Sequence, residues 1–157
     1  MRPLDGRPAL RRITMLLLLV LLVGGWVGGI SFLTDPSGSG LGMTTDQLPQ
    51  WPLLDDYTAP GVLLLLCFGV LPLPAVVLLA RRRAGGFHAA AGVGLVLVAW
   101  MLAQLAAIGV LFRSMQFGFL ALGALLITLG LAGARHAADG GSRVSAGRPE
   151  EPFSGRP

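Results

Sequence analysis

The residues of this chain that can do chemistry are few, and they fall in three places. Asp35, Asp46, Asp55 and Asp56 share one polar segment, His88 and His136 stand at the ends of apolar runs, and Cys67 lies inside such a run. Paired carboxylates can share a proton or hold a divalent cation, and Asp35, Asp55 and Asp56 are the candidates for that work. The alternating Asp spacing of a calcium loop is absent, so no metal site is expected. Haem ligation needs imidazoles within a bundle, and both histidines lie outside the apolar runs. Nucleophilic hydrolysis needs a hydroxyl beside a histidine, whereas most hydroxyl residues lie far from His88 and His136 along the chain. The lone Cys67 permits no internal disulfide and no dithiol relay, and reads as a small core side chain.

Ion- or proton-coupled transport requires an ionisable group at membrane depth, and the apolar runs contain none. The glutamate of small multidrug transporters and the cysteine pairs of vitamin K epoxide reductases are both missing. These absences predict a protein that is not an enzyme and carries no cofactor.

What must position these residues is set by composition. Of 157 residues, 54% are hydrophobic and 13% charged, against roughly 25% charged in soluble domains. A water-soluble fold of this size cannot hide so much apolar surface. The segments 13–33, 59–80, 89–112 and 115–134 contain no Asp, Glu, Arg or His. At 1.5 Å per residue each covers about 30 Å or more, and lipid obliges each to be helical. The expected fold is therefore an all-α integral membrane protein. Four transmembrane helices form an up-down bundle, with a short interfacial outer loop (34–58) and a disordered C-terminal tail (135–157). Arg11 and Arg12 before a Leu-rich run give the first segment a signal-peptide flavour. Its length and the lack of an A-x-A site favour an uncleaved helix.

All twelve basic residues are Arg, a codon bias rather than a functional signal. Arg2, Arg7, Arg11 and Arg12 precede the first run, Arg81 to Arg83 follow the second, and Arg135, Arg143, Arg148 and Arg156 follow the fourth. The segment 34–58 has no basic residue and four acids. Positive-inside sorting then puts both termini in the cytoplasm and this loop outside, in a plasma membrane. The pI near 11 matches anionic lipid headgroups rather than nucleic acid, since no soluble domain carries the arginines.

Within the runs, Gly24, Gly25, Gly28 and Gly29 make two overlapping G-x-x-x-G pairs within an arc of about 140°. They suit close helix packing, inside the molecule or against a second copy. Ala99, Ala103 and Ala107 form a similar stripe in the third run. Pro72 and Pro74 each remove a helical hydrogen bond, freeing the carbonyls of Phe68 and Val70. Gln104, the strongly polar side chain deep in the third run, is expected to donate to one of them. Arg113, alone at the tip of the hairpin between the third and fourth runs, is a candidate partner for Asp35, Asp55 or Asp56. Thr44 and Gln47 fit a capping box, and Leu48, Trp51, Leu53 and Leu54 suit the interface.

The pattern Asp35-Pro36-Ser37-Gly38, Leu41-Gly42, Leu48, Pro52, Asp56-Tyr57 and Pro60-Gly61 resembles the first outer loop of small, uncharacterised four-helix membrane proteins of high-GC bacteria. In those proteins a glycine-rich first helix precedes the loop and a Gln follows near the last hairpin, here Gln116. The resemblance covers roughly residues 15–130, implies the architecture and transfers no activity. The expected role is an accessory, assembly or scaffold subunit, or a homo-oligomer, with the lipid bilayer and another membrane protein or itself as partners. The rival is a passive conduit or binder for a small or lipidic molecule near Pro72 and Gln104. A third alternative is a lipid-directed enzyme using the outer aspartates.

Overall fold

The computed structural model describes residues 6–48, 55–83, 85–108 and 113–146. The chain is all-helical, with no strand among the described residues. Helix α1 spans Gly6–Thr34; two 3-10 turns follow at Ser39–Leu41 and Thr45–Gln47. The second span is α2 (Thr58–Leu64), a π-helical segment (Leu65–Val70) and α3 (Pro72–Ala80). Helix α4 runs Gly85–Ile108 and α5 runs Arg113–Ala146. Four helices, Pro8–Thr34, Thr58–Ala80, Gly85–Ala107 and Ser114–His136, are long and apolar enough to cross a membrane.

Consecutive spans run antiparallel. Gly25 lies over Gly69 and Gly29 over Leu65, Gly86 sits against Leu79, and Gly94 faces Gly123. Helix α1 lies along the whole second span, α3 packs on α4, α4 on α5, and α5 returns to α1. The core is made by Leu18 and Leu21 of α1, Phe68 and Leu79 of the second span, Leu97 of α4 and Leu126 of α5. Outward from it stand Leu16, Val20, Val27, Leu95, Leu102 and Leu131, all exposed. Large aliphatic side chains covering the outside of every helix suit hydrocarbon, not water.

The π segment has a local cause. Pro72 and Pro74 bring no N–H, and a proline ring clashes with the carbonyl of the residue four before it. One wide turn clears that clash: Leu71 N–H donates to the Leu66 carbonyl five residues back at 3.0 Å, the π pattern. The prolines then open α3 as its first and third residues.

Two boundaries differ from expectation. Helix α1 begins at Gly6, so Arg11 and Arg12 are already helical. Helix α5 continues to Ala146, so residues 135–146 of the segment expected to be a disordered tail are helical. The alanines of Ala134–Ala138 favour helix and no proline interrupts before Pro149. Residues 147–157 lie outside the described residues, as do Pro49, Trp51, Pro52, Leu53 and Leu54 of the outer loop.

Candidate functional site

Two arrangements organise the polar and conformationally special residues: a folded cap made from the outer loop, and the crossing of α1 with the second span.

The cap starts where α1 ends. Asp35 closes the last turn of α1 through its N–H, which donates to the Ser31 carbonyl at 2.9 Å. Its carboxylate then accepts from Ser37 Oγ at 2.6 Å, Ser39 Oγ at 2.8 Å and the Gly40 N–H at 2.8 Å. The Ser37 hydroxyl, the Gly40 amide and the Ser39 hydroxyl stabilise the ionised form and draw the carboxyl from 3.8 to about 2. Such a group is a permanent anion at neutral pH and a poor proton donor.

Tyr57 holds the other side of the cap. Its ring stacks on Phe32 of α1 with centroids 4.8 Å apart and planes 10° from parallel. Its hydroxyl donates to the Thr44 carbonyl at 3.0 Å, and its N–H donates to the Pro36 carbonyl at 2.9 Å. Tyr57 is 7% exposed, and burial raises its phenol pKa above 10.0. Gly38, in the left-handed region at φ 76°, lies so near that a Cβ there would sit 2.8 Å from the tyrosine ring. Only glycine meets both demands.

Asp56 accepts from the Thr58 N–H at 2.8 Å, an Asx turn that starts α2. Gly61 then lets α2 approach Phe32 and the Gly29 carbonyl. Of the outer-loop pattern, Asp35 through Gly38, Asp56-Tyr57 and Gly61 take part in this cap.

Asp35, Asp46, Asp55 and Asp56 do not converge. A depression of about 170 Å³ beside the cap is lined by Ser31, Thr34, Asp35, Gly38, Gly40 and Leu41, with one carboxylate among them. Asp56 is spent on its turn, and Asp46 and Asp55 are exposed. No group of three His, Cys, Asp or Glu able to hold a metal occurs among the described residues. The Thr44 to Gln47 segment forms a 3-10 turn in which the Thr44 side chain makes no capping bond, so the capping box is not formed. Both Asp35 oxygens are occupied by the loop itself. The Arg113 side chain lies outside the described residues, as does any pairing it makes.

At the helix crossing, the expected glycine face divides. A Cβ on Gly25 would run into the Phe68–Gly69 backbone, one on Gly28 would lie 2.8 Å from Leu64, and one on Gly29 would lie 3.0 Å from the Gly61 carbonyl. These three glycines are therefore consumed by intramolecular packing. Gly24 has nothing within 4 Å of an added Cβ and faces outward. Ala99, Ala103 and Ala107 also face outward. Helix α4 instead packs through Ala90, Ala91 and Gly94, the last meeting α5 at Gly123.

The expected bond from Gln104 to the Phe68 or Val70 carbonyl is not formed among the described residues; a different side chain reaches the carbonyl between them. Trp26 Nε1 donates to the Gly69 carbonyl at 2.8 Å. Gln104 is half-buried and makes no side-chain hydrogen bond among the described residues. The physical reason is proximity. Gly25 brings α1 so close to the π segment that its neighbour Trp26 is nearest to the opened turn, and α4 is held farther off by Phe68 and Trp100, whose rings meet edge-on at 6.3 Å. Sequence reasoning passed over Trp26 and, as an anchor, Tyr57. Their signals were an indole next to the glycine pair and a tyrosine between an Asx turn and a helix start.

Two further polar groups are buried in the spans: Thr14, whose hydroxyl donates to the Leu10 carbonyl at 2.9 Å, and Gln116, 1% exposed near the start of α5. No protein-family model, curated protein or solved structure matches the chain.

Proposed function

We propose that this is a non-enzymatic multi-pass protein of a bacterial plasma membrane, an accessory, assembly or scaffold subunit that acts by packing against another membrane protein or a second copy of itself. Both termini lie on the cytoplasmic side and the Asp35–Tyr57 cap lies outside. The arginine distribution supports this orientation. The observation that carries the role is the division of small residues. Gly25, Gly28 and Gly29 are used up internally, while Gly24, Ala99, Ala103 and Ala107 remain outward, where small side chains permit close approach of a neighbouring helix.

The rival reading, a conduit or binder, needs space at the Pro72 kink. Phe68, 4% exposed, fills that position and packs edge-on against Trp100. The outer aspartates support no acid-base pair, since Asp35 is held ionised and Asp56 is committed to a turn.

Purification of the full chain in a mild detergent, with native-gel sizing and mass-spectrometric identification of companions, tests the proposal. A defined complex, or a homo-oligomer that Ala103→Leu dissociates, is the expected result. A homogeneous monomer without companions would sink it.

A further inference from the structure

We propose that the end of the bundle carrying Arg11, Arg12 and Arg81–Arg83 holds the phosphate of one anionic phospholipid, in the angle between α1 and the turn from α3 to α4. The inference rests on the membrane-spanning reading and adds to it a specific lipid site.

The first observation is backbone strain. Helix α3 ends in a Schellman motif: Arg82 N–H donates to the Leu79 carbonyl at 3.1 Å and Arg83 N–H to the Leu78 carbonyl at 2.9 Å. This motif needs a left-handed residue after the helix, ordinarily glycine. Here it is Arg82, at φ 57°, the one non-glycine residue with positive φ among those described. Charge complementing the helix dipole accounts for an arginine at Arg81 or Arg83 with ordinary φ. It does not call for one in a left-handed position, where a side chain carries a conformational penalty. A left-handed arginine at a position where glycine would be unstrained points to a task for its side chain.

The second observation is an orphaned donor. Arg11 Nε is buried and has no hydrogen-bond partner. The antiparallel register that sets Gly25 over Gly69 and Gly29 over Leu65, continued along both helices, brings the turn holding Arg11 and Arg12 level with Arg81–Arg83. No acid occurs between Asp5 and Asp35, nor between Asp56 and Asp139. The described side chains at this end therefore include no carboxylate to answer the guanidinium groups. Among the described residues the guanidinium groups thus have no counter-charge, and an anionic headgroup phosphate is of the sign and size to supply one.

Guanidinium groups match phosphate oxygens in charge and in planar, two-pronged geometry. The site lies where the apolar helices end, the depth of lipid headgroups, and a basic notch between helices at that depth suits an anionic lipid. Helix α4 starts at Gly85 beside the arginines, so the positive end of its dipole lies on the same side.

The test uses the full chain in a mild detergent, delipidated and then supplied with dioleoylphosphatidylglycerol, dioleoylphosphatidylcholine or inorganic phosphate. Thermal midpoint and retained lipid by native mass spectrometry are the readouts. Phosphatidylglycerol is expected to raise the midpoint above that with phosphatidylcholine, and inorganic phosphate to leave it unchanged. Arg11→Gln should reduce the phosphatidylglycerol preference about fivefold, and Arg148→Gln should not. Arg82→Gly should do two things at once: melt higher without lipid, because the strain is gone, and lose lipid preference. Equal response to both lipids, equal response to inorganic phosphate, or equal loss in Arg148→Gln overturns the site. So does an Arg82→Gly variant that is stabilised yet keeps its lipid preference. Carbonate extraction separates the two levels: a protein that stays in the membrane but shows no preference refutes the site alone, and one released refutes the membrane reading beneath it.

Discussion

Trp26 Nε1 on α1 and the carbonyl oxygen of Gly69 in the π segment are joined by a 2.8 Å hydrogen bond across 43 residues of sequence. The bond meets an acceptor at the place where two prolines interrupt the ladder of backbone bonds, and it ties the irregular turn to α1. Trp26→Phe keeps an aromatic side chain, smaller than the indole, and deletes the donor. The expected cost is about 1 kcal/mol, in the range of single hydrogen bonds in membrane bundles, measured by reversible unfolding in mixed micelles. Gln104→Leu should cost less. The reverse order would mean that the amide, not the indole, serves the opened turn.

Adjacent glycines of α1 should respond oppositely. Gly25→Ala places a methyl group against the Phe68–Gly69 backbone, which cannot yield as a flexible side chain can. A loss of about 2 kcal/mol is expected. Gly24→Ala meets nothing within 4 Å and should change stability by no more than about 0.5 kcal/mol. The same unfolding assay decides, and equal effects at the two positions would remove the assigned crossing.

The cap should depend on Tyr57 and Gly38 separately from the bundle. Tyr57→Phe removes the bond to Thr44 while preserving the stack on Phe32, and should weaken the cap by about 1 kcal/mol. Gly38→Ala demands both a left-handed alanine and room beside the tyrosine ring, and should cost more than about 2 kcal/mol. Hydrogen exchange over residues 35–48 reads both. Protection in the spans should stay unchanged.

Acid should loosen the same cap through Asp35. Its folded carboxyl titrates at about 2 against an ordinary 3.8, because Ser37, Gly40 and Ser39 donate to the ionised form. A depressed carboxyl contributes its stabilisation fully above the unfolded value and loses it as pH falls toward the folded one. Exchange protection of the cap should therefore hold at pH 5 and above and fade between about pH 4 and pH 2. Asp35→Asn should abolish that window, and an unchanged acid profile in this variant would assign the effect elsewhere.

Orientation is tested by thiol labelling in a Cys67→Ala background. A cysteine replacing Asp46 should react with an impermeant reagent added to intact cells, and one replacing Arg81 only after permeabilisation. Labelling of both from the same side contradicts the four-crossing arrangement.

That four long apolar helices form was legible in the residues alone. Desolvating an arginine or aspartate costs more than any local preference returns, so the charge-free runs mark the apolar middles of the four long helices, two of which continue past their flanking arginines. Close approach at Gly25 and Gly29 was legible as well, since the absence of a side chain is itself a spacing. Three things were not: the helical continuation to Ala146, the outward turn of Ala99, Ala103 and Ala107, and the choice of Trp26 over Gln104. Helical periodicity states which residues share a face, but not how that face is rotated toward each neighbour. Likewise the cap's signature of Asp35, Gly38 and Tyr57 could be seen as a pattern, while its meaning waited on the fold. Only when α1 and α2 stand side by side does a left-handed glycine meet a tyrosine ring from the far end of the loop.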